Sequence, residues 1–175
     1  MDGIDLDAEN SDCSLDNIVK LIQKLRTDFG KDFIITLAPV ASALKGGNSI
    51  SGFDYKTLEQ EYGDEIDWYN AQFYSNYGSM SDPQDYNDII TKCPLNPSRL
   101  VAGTLSNKDN GSGWVKLDTV KSTVRQLMKT YGNSFGGIAA WEYFNSKPDT
   151  AEPWTWAALM GLAMVNWQEV LALNN

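Results

Sequence analysis

The residues best able to do chemistry are four acids within eight positions: Asp2, Asp5, Asp7 and Glu9. The stretch Gly3-Ile4-Asp5-Leu6-Asp7-Ala8-Glu9 alternates acidic and apolar residues. A period of two belongs to a strand, so Asp5, Asp7 and Glu9 project from one face and Ile4, Leu6 and Ala8 from the other. Asp2 falls out of phase and needs a local irregularity, which Gly3 allows. Three carboxylates on one strand face repel one another and cannot all ionise together. At least one must keep its proton to higher pH, which is what a general acid near neutrality needs. A calcium site or a solvated edge is the competing reading. Calcium loops, however, place turn residues between their acids, and here Ile4 and Leu6 stand there.

Such a strand needs neighbours to hold it, and the rest of the chain supplies them in a regular order. Ser14 or Asp16 can cap a helix running to about Phe29, with Ile18, Leu21, Ile22 and Leu25 at helical spacing and Gly30 ending it. Residues 33–39 form a continuous apolar run, as in a strand buried on both faces, and Pro39 stops it. Residues 46–52 read as a loop and 55–62 as a short helix. Residues 66–74 read as a strand, 75–83 as a Gly/Ser/Asn loop and 85–91 as a helix. A strand at 100–105 precedes a glycine-rich loop at 107–113, and 117–131 reads as a long amphipathic helix. A strand at 136–141 precedes a last helix starting near Pro153, a favoured first-turn proline. The order is βα five times with no linker, which implies one domain, residues 1–175, with a parallel sheet and helices outside it.

The bulk properties narrow the chemistry. The 175 residues suffice for one domain with a real core. A net charge of −9 argues against nucleic acid and against anionic membrane surfaces, and is compatible with a neutral glycan. The chain has no His, which removes His-based triads and the usual metal ligands, so neither metal nor cofactor is expected. No signal peptide or membrane span is read, and the apolar run 154–173 is broken by Asn166, Gln168 and Glu169 and reads as a packed helix. Asn110-Gly111-Ser112 matches a glycosylation acceptor, a weak signal.

Asp2-Gly3-x-Asp5-x-Asp7-x-Glu9 resembles the signature of glycoside hydrolase family 18, the chitinases and endo-β-N-acetylglucosaminidases. The likeness runs through essentially the whole chain. Ile35-Thr36-Leu37-Ala38-Pro39-Val40-Ala41 is similar to that family's fifth strand. Trp68-Tyr69-Asn70-Ala71-Gln72-Phe73-Tyr74 is similar to its sixth, and Gly136-Gly137-Ile138-Ala139-Ala140-Trp141-Glu142-Tyr143-Phe144-Asn145 to its eighth. It is strongest towards the fungal branch, endo-β-N-acetylglucosaminidases above plant-type chitinases.

The resemblance implies a partial (β/α)8 TIM barrel, units four to eight only, truncated at the N-terminus. A full barrel needs eight units in about 250 residues. Strands four and eight would then each lack a neighbour, leaving open edges that invite pairing with another chain. Two copies would bring ten strands, so a dimer does not simply rebuild the barrel. Cys13 and Cys93 would lie at opposite ends and stay unpaired. Relatives are often secreted, although no leader is read here.

The resemblance also implies a mechanism: family 18 uses the substrate's own acetamide as nucleophile. Glu9 is then the general acid and base. Asp7 orients the acetamide, Asp5 shares a proton with Asp7 as a coupled pair, and Tyr74 donates to the acetyl oxygen. Gln72 contacts the same sugar and Trp141 floors it, while Asp2 and Gly3 are structural. Trp68, Trp114, Trp154 and Trp156 are left to packing, and Glu142 is expected to point away from the site. The implied partner is chitin or the chitobiose core of N-glycans. The alternative is a truncated family member that binds glycan without catalysis.

Overall fold

The computed structural model describes residues 1–47 and 49–165. The part of the 154–173 run beyond 165 lies outside the described residues. Five strands form one parallel sheet in sequence order: β1 (Gly3–Leu6), β2 (Ile34–Leu37), β3 (Trp68–Gln72), β4 (Leu100–Leu105) and β5 (Ile138–Trp141). Helices α1 (Leu15–Phe29), α2 (Ala41–Leu44), α3 (Tyr55–Tyr62), α4 (Gln84–Lys92), α5 (Leu117–Tyr131) and α6 (Trp154–Met164) lie between and after them. The five βα units are those expected, and together they make a half-barrel. Only the short α2, which follows Pro39 directly, has no counterpart in the sequence reading; a four-residue helix is too brief to show a period. Among the described residues no helix is long and apolar enough to cross a membrane.

The strand alternation separates two faces. Ile35, Leu37, Tyr69, Ala71, Phe73, Leu100 and Ala102 point outward and are fully buried under the helices. α1 covers them with Ile18, Val19 and Ile22, and α5 with Val120, Val124 and Leu127. These spacings place the buried residues on one stripe of each helix. α1 starts where expected, with Ser14 accepting from Asn17 N–H and Gly30 (φ +85°) closing it. The opposite face carries Asp5, Thr36, Trp68, Asn70, Gln72, Gly103, Ala139 and Trp141. The ladder registers Asp5 against Thr36, Thr36 against Trp68, Gln72 against Gly103 and Gly103 against Ala139.

Gly3 has a different role from the irregularity anticipated. It lies inside β1, where a Cβ would sit 2.4 Å from the Ile34 carbonyl oxygen, so it permits close approach of β1 and β2. Asp2 is exposed, and its main-chain carbonyl accepts from Ile34 N–H at 2.9 Å.

A charge cluster around the buried Glu59 and the half-buried Arg99 fixes the opposite, N-terminal end of the strands. Arg99 forms a forked pair with the buried Glu59 and also donates to the carbonyls of Gly63 (2.7 Å), Ile66 (2.9 Å) and Asp67 (3.3 Å). Tyr69 donates its hydroxyl to the same Glu59 carboxylate at 2.9 Å. Cys13 and Cys93 are both free thiols.

Trp154 departs from the packing role anticipated for it. It is exposed at the start of α6, while Trp156, two residues on and on another side of the helix, is buried. Trp68 and Trp114 are half-buried.

Candidate active site

The β1 ladder ends at Leu6, whose carbonyl takes its last bond from Ala38 N–H at 3.1 Å. β2 itself ends at Leu37, and Pro39 beyond it faces β3, where its carbonyl accepts from Gln72 N–H at 2.8 Å. Asp7 and Glu9 therefore stand just past the C-terminal end of the strand, although the alternation continues: Asp5, Asp7 and Glu9 are exposed, Leu6 is buried and Ala8 half-buried. In a parallel barrel this is the end at which chemistry is built.

Each acid has its own support. Asp5 accepts from Thr36 Oγ1 at 2.5 Å and from Asn70 Nδ2 at 3.2 Å. Asn70 is oriented in turn by Trp68, whose indole N–H donates to Asn70 Oδ1 at 3.0 Å. Glu9 Oε1 accepts from Gln72 Nε2 at 2.9 Å, and the same amide nitrogen lies 3.4 Å from Asp7 Oδ1 and 3.0 Å from the Ala38 carbonyl. One neutral amide on β3 thus bridges the two acids just beyond β1, across the end of β2.

Partial desolvation at the crowded strand end, the Glu9 and Asp5 charges and a hydrogen bond with Glu9 together push the Asp7 carboxyl above its ordinary 3.8, although the residue reaches the surface. Glu9 is the larger of the two charge effects. Tyr74, on the same face of the chain two residues beyond Gln72, feels the same field. Burial and then the Glu9 and Asp7 charges push its phenol up to about 12, so it remains a hydrogen-bond donor across the neutral range.

Loops finish the placement of Tyr74. Ser75 N–H donates to the Ser112 carbonyl at 2.9 Å. Gly113 (φ +85°) lies so near that a Cβ there would sit 3.0 Å from Ser75 N and 3.3 Å from Tyr74 Cα. Ser75 and Asn76 both adopt positive φ directly after Tyr74, a left-handed conformation that non-glycine residues take up only when held in place. A cleft of about 470 Å³ opens beside this turn, lined by Ser42, Lys45, Tyr77, Ser79 and Asp85 among others.

The structure thus brings Asp5, Asp7, Glu9, Gln72 and Tyr74 together. Trp141 stands apart at the end of β5, two strands from β3 on the same inner face, and is 53% exposed. Asn70 and Thr36 belong to the constellation and were not singled out from sequence. The signal for Asn70 was present, since Trp68, Asn70, Gln72 and Tyr74 share one period-two face. Among the described residues no cluster of His, Cys, Asp or Glu has the arrangement of a metal site.

Asp7 carries a testable cost. A carboxyl whose folded pKa lies above 3.8 leaves the folded state holding more protons than the unfolded one, so its contribution to stability falls as pH rises from 3.8 through the raised value. Asp7→Asn removes that cost. The variant should melt at a higher temperature than the parent at pH 7, with the gap closing towards pH 3. Equal melting temperatures at pH 7 would contradict the crowding argument.

Solved structures of other proteins share this arrangement of strands. A fungal endo-β-N-acetylglucosaminidase of glycosyl hydrolase family 18 is 46% identical over 93% of this chain, with a TM-score of 0.87, and this chain spans 56% of its length. Chitinase ChiC from Aspergillus fumigatus is 46% identical over 94% of this chain, with a TM-score of 0.80, and 59% of its length is spanned. A family 18 chitinase from Pseudoalteromonas aurantia, at 24% identity and a TM-score of 0.73, shares the fold. No protein-family model matches the sequence, and no curated protein does. By sequence and by fold, the chain corresponds to the C-terminal part of a barrel of glycoside hydrolase family 18.

Proposed function

We propose that this chain carries the acid/base half of a glycosidase site that cleaves β-1,4 bonds between N-acetylglucosamine units, within one catalytic domain, by substrate-assisted retaining catalysis. The observation that carries the reading is the Asp7–Glu9 pair at the strand end, bridged by Gln72 and faced by Tyr74.

The chemistry follows from those groups. Protonated Glu9 gives its proton to the glycosidic oxygen as the bond from that oxygen to C1 breaks. The acetamide oxygen of the same sugar forms a new bond to C1, giving an oxazolinium ion. Asp7 faces the acetamide N–H and offsets the positive charge, with Asp5 behind it held by Thr36 and Asn70. Tyr74 donates to the acetamide oxygen and so fixes its position for attack. Glu9, now a carboxylate, takes a proton from water as that water bonds to C1, and the acetamide is restored. Two inversions leave the configuration retained.

The raised Asp7 pKa serves this cycle, because Asp7 holds a proton further up the pH scale than a lone aspartate would. Chitin and the chitobiose core of N-glycans present the same bond and the same acetamide, and both fit this site. The fungal endo-β-N-acetylglucosaminidase and ChiC, both 46% identical to this chain, support the same substrate class.

A second reading, glycan binding without turnover, has one observation in its favour. Asp5 lies on β1 and Asp7 and Glu9 directly follow it, and one side of that strand is unpaired among the described residues. The two readings separate on an aryl di-N-acetylchitobioside and its cellobioside counterpart, which has hydroxyls in place of acetamides. Release of the aryl group from the first and not from the second is the expected result. No release from either would favour the binding role.

A further inference from the structure

The most connected polar cluster outside the acid site joins the loop after β4 to the chain after β5. Asn110 Nδ2 lies within hydrogen-bond distance of the Trp141 carbonyl (2.9 Å), Ser106 Oγ (3.2 Å) and Asn145 Oδ1 (3.1 Å). Asn145 Nδ2 answers at 2.6 Å to Asn110 Oδ1, so the two amides pair reciprocally. Ser106 N–H donates to the same Trp141 carbonyl at 2.9 Å, and Ser106 Oγ and Ser146 Oγ both donate to the Glu142 carbonyl, at 2.6 and 2.8 Å. Asn107 Nδ2 donates to the Asn145 carbonyl at 2.9 Å. Ser106, Asn107 and Ser146 are buried, while the Asn110–Trp141 bond itself lies at the surface.

Trp141 needs such support. With more than half its surface exposed, its indole has little packing to orient it. The chain beyond it has no helix or strand until Trp154, so its carbonyls have no ladder of their own.

We propose that Asn110 is a positioning residue that holds Trp141 at the C-terminal end of β5 through the main chain. This rests on the reading of Trp141 as the face on which a sugar stacks. The same atom, Asn110 Nδ2, is the acceptor nitrogen of the Asn110-Gly111-Ser112 sequon, and the folded chain commits it to the clamp.

The test labels the six tryptophans with 5-fluorotryptophan and follows their fluorine resonances, Trp141 being assigned from the Trp141→Phe spectrum. Asn110→Asp keeps the shape, removes both N–H donors and sets an oxygen against the Trp141 carbonyl. It should shift or broaden the Trp141 resonance and leave the other five in place. Asn110→Ala, which adds no charge, should move the same single resonance. An unmoved Trp141 resonance overturns the proposal, and so does a shift of all six, which would make the cluster a folding element.

A binding cycle with tetra-N-acetylchitotetraose separates the proposal from the reading it rests on. Asn110→Asp should weaken binding about tenfold in a Trp141 background and have no effect once Trp141→Ala is present. Equal effects in both backgrounds overturn the proposal. If Trp141→Ala alone leaves affinity unchanged, the stacking role of Trp141 fails, and the fluorine spectrum still decides whether Asn110 holds it.

Discussion

Glu9→Gln should lower the turnover of an aryl di-N-acetylchitobioside by about 10²–10⁴-fold while changing KM little, because only proton transfer in the transition state is lost. The change is nearly isosteric. Glu9 Oε1 accepts from Gln72 at 2.9 Å, and a glutamine carbonyl at the same place can accept the same bond. The amide, however, neither delivers a proton to the leaving oxygen nor takes one from water, so both half-reactions fail together. A loss smaller than about threefold would remove Glu9 from the mechanism.

Arg99→Met should be the most destabilising single change at the other end of the sheet. Methionine keeps much of the stem but none of the donors. Glu59 would stay buried with Tyr69 alone to satisfy its carboxylate, and the carbonyls of Gly63, Ile66 and Asp67 would lose a partner. Breaking one side of a buried pair costs about 3–5 kcal/mol. For a chain of 175 residues that lowers the melting temperature by about 6–20 °C, at about 2–4 °C per kcal/mol. Removing both charges, as in Glu59→Leu with Arg99→Met, should recover much of the loss, because no lone charge remains buried. Thermal melts of the two variants decide this. A drop under about 2 °C for Arg99→Met would show that the cluster contributes little.

The strand face that carries the acids was legible in the sequence, and the reason is periodic. The two-residue alternation of residues 3–9 placed Asp5, Asp7 and Glu9 together, while Gln72 and Tyr74 were picked out by the family resemblance of residues 68–74. Buried strands and amphipathic helices declare themselves in the same way, so the five βα units were readable from Ile35, Leu37, Val124 and their like. What escaped are long-range partners and residues on irregular loops. Asn70 supports Asp5 across 65 positions of sequence, and nothing local marks that contact. The clamp on Trp141 is built by Ser106, Asn107 and Asn110 on an irregular loop, where polar residues look like ordinary turn formers. Trp154 shows the limit from the other side, since a tryptophan in an apolar helix reads as core whichever way the helix turns it.

The central claim is that the substrate's own acetamide is the nucleophile, steered by Asp7 and Tyr74. The most direct measurement is the turnover by this chain of aryl chitobiosides whose reacting acetamide carries no, one, two or three fluorines. Each fluorine withdraws electrons from the carbonyl oxygen and weakens its attack on C1. If the acetamide attacks, the rate falls steeply and steadily along the series. A rate indifferent to fluorination, or no turnover of the parent compound, would contradict the account.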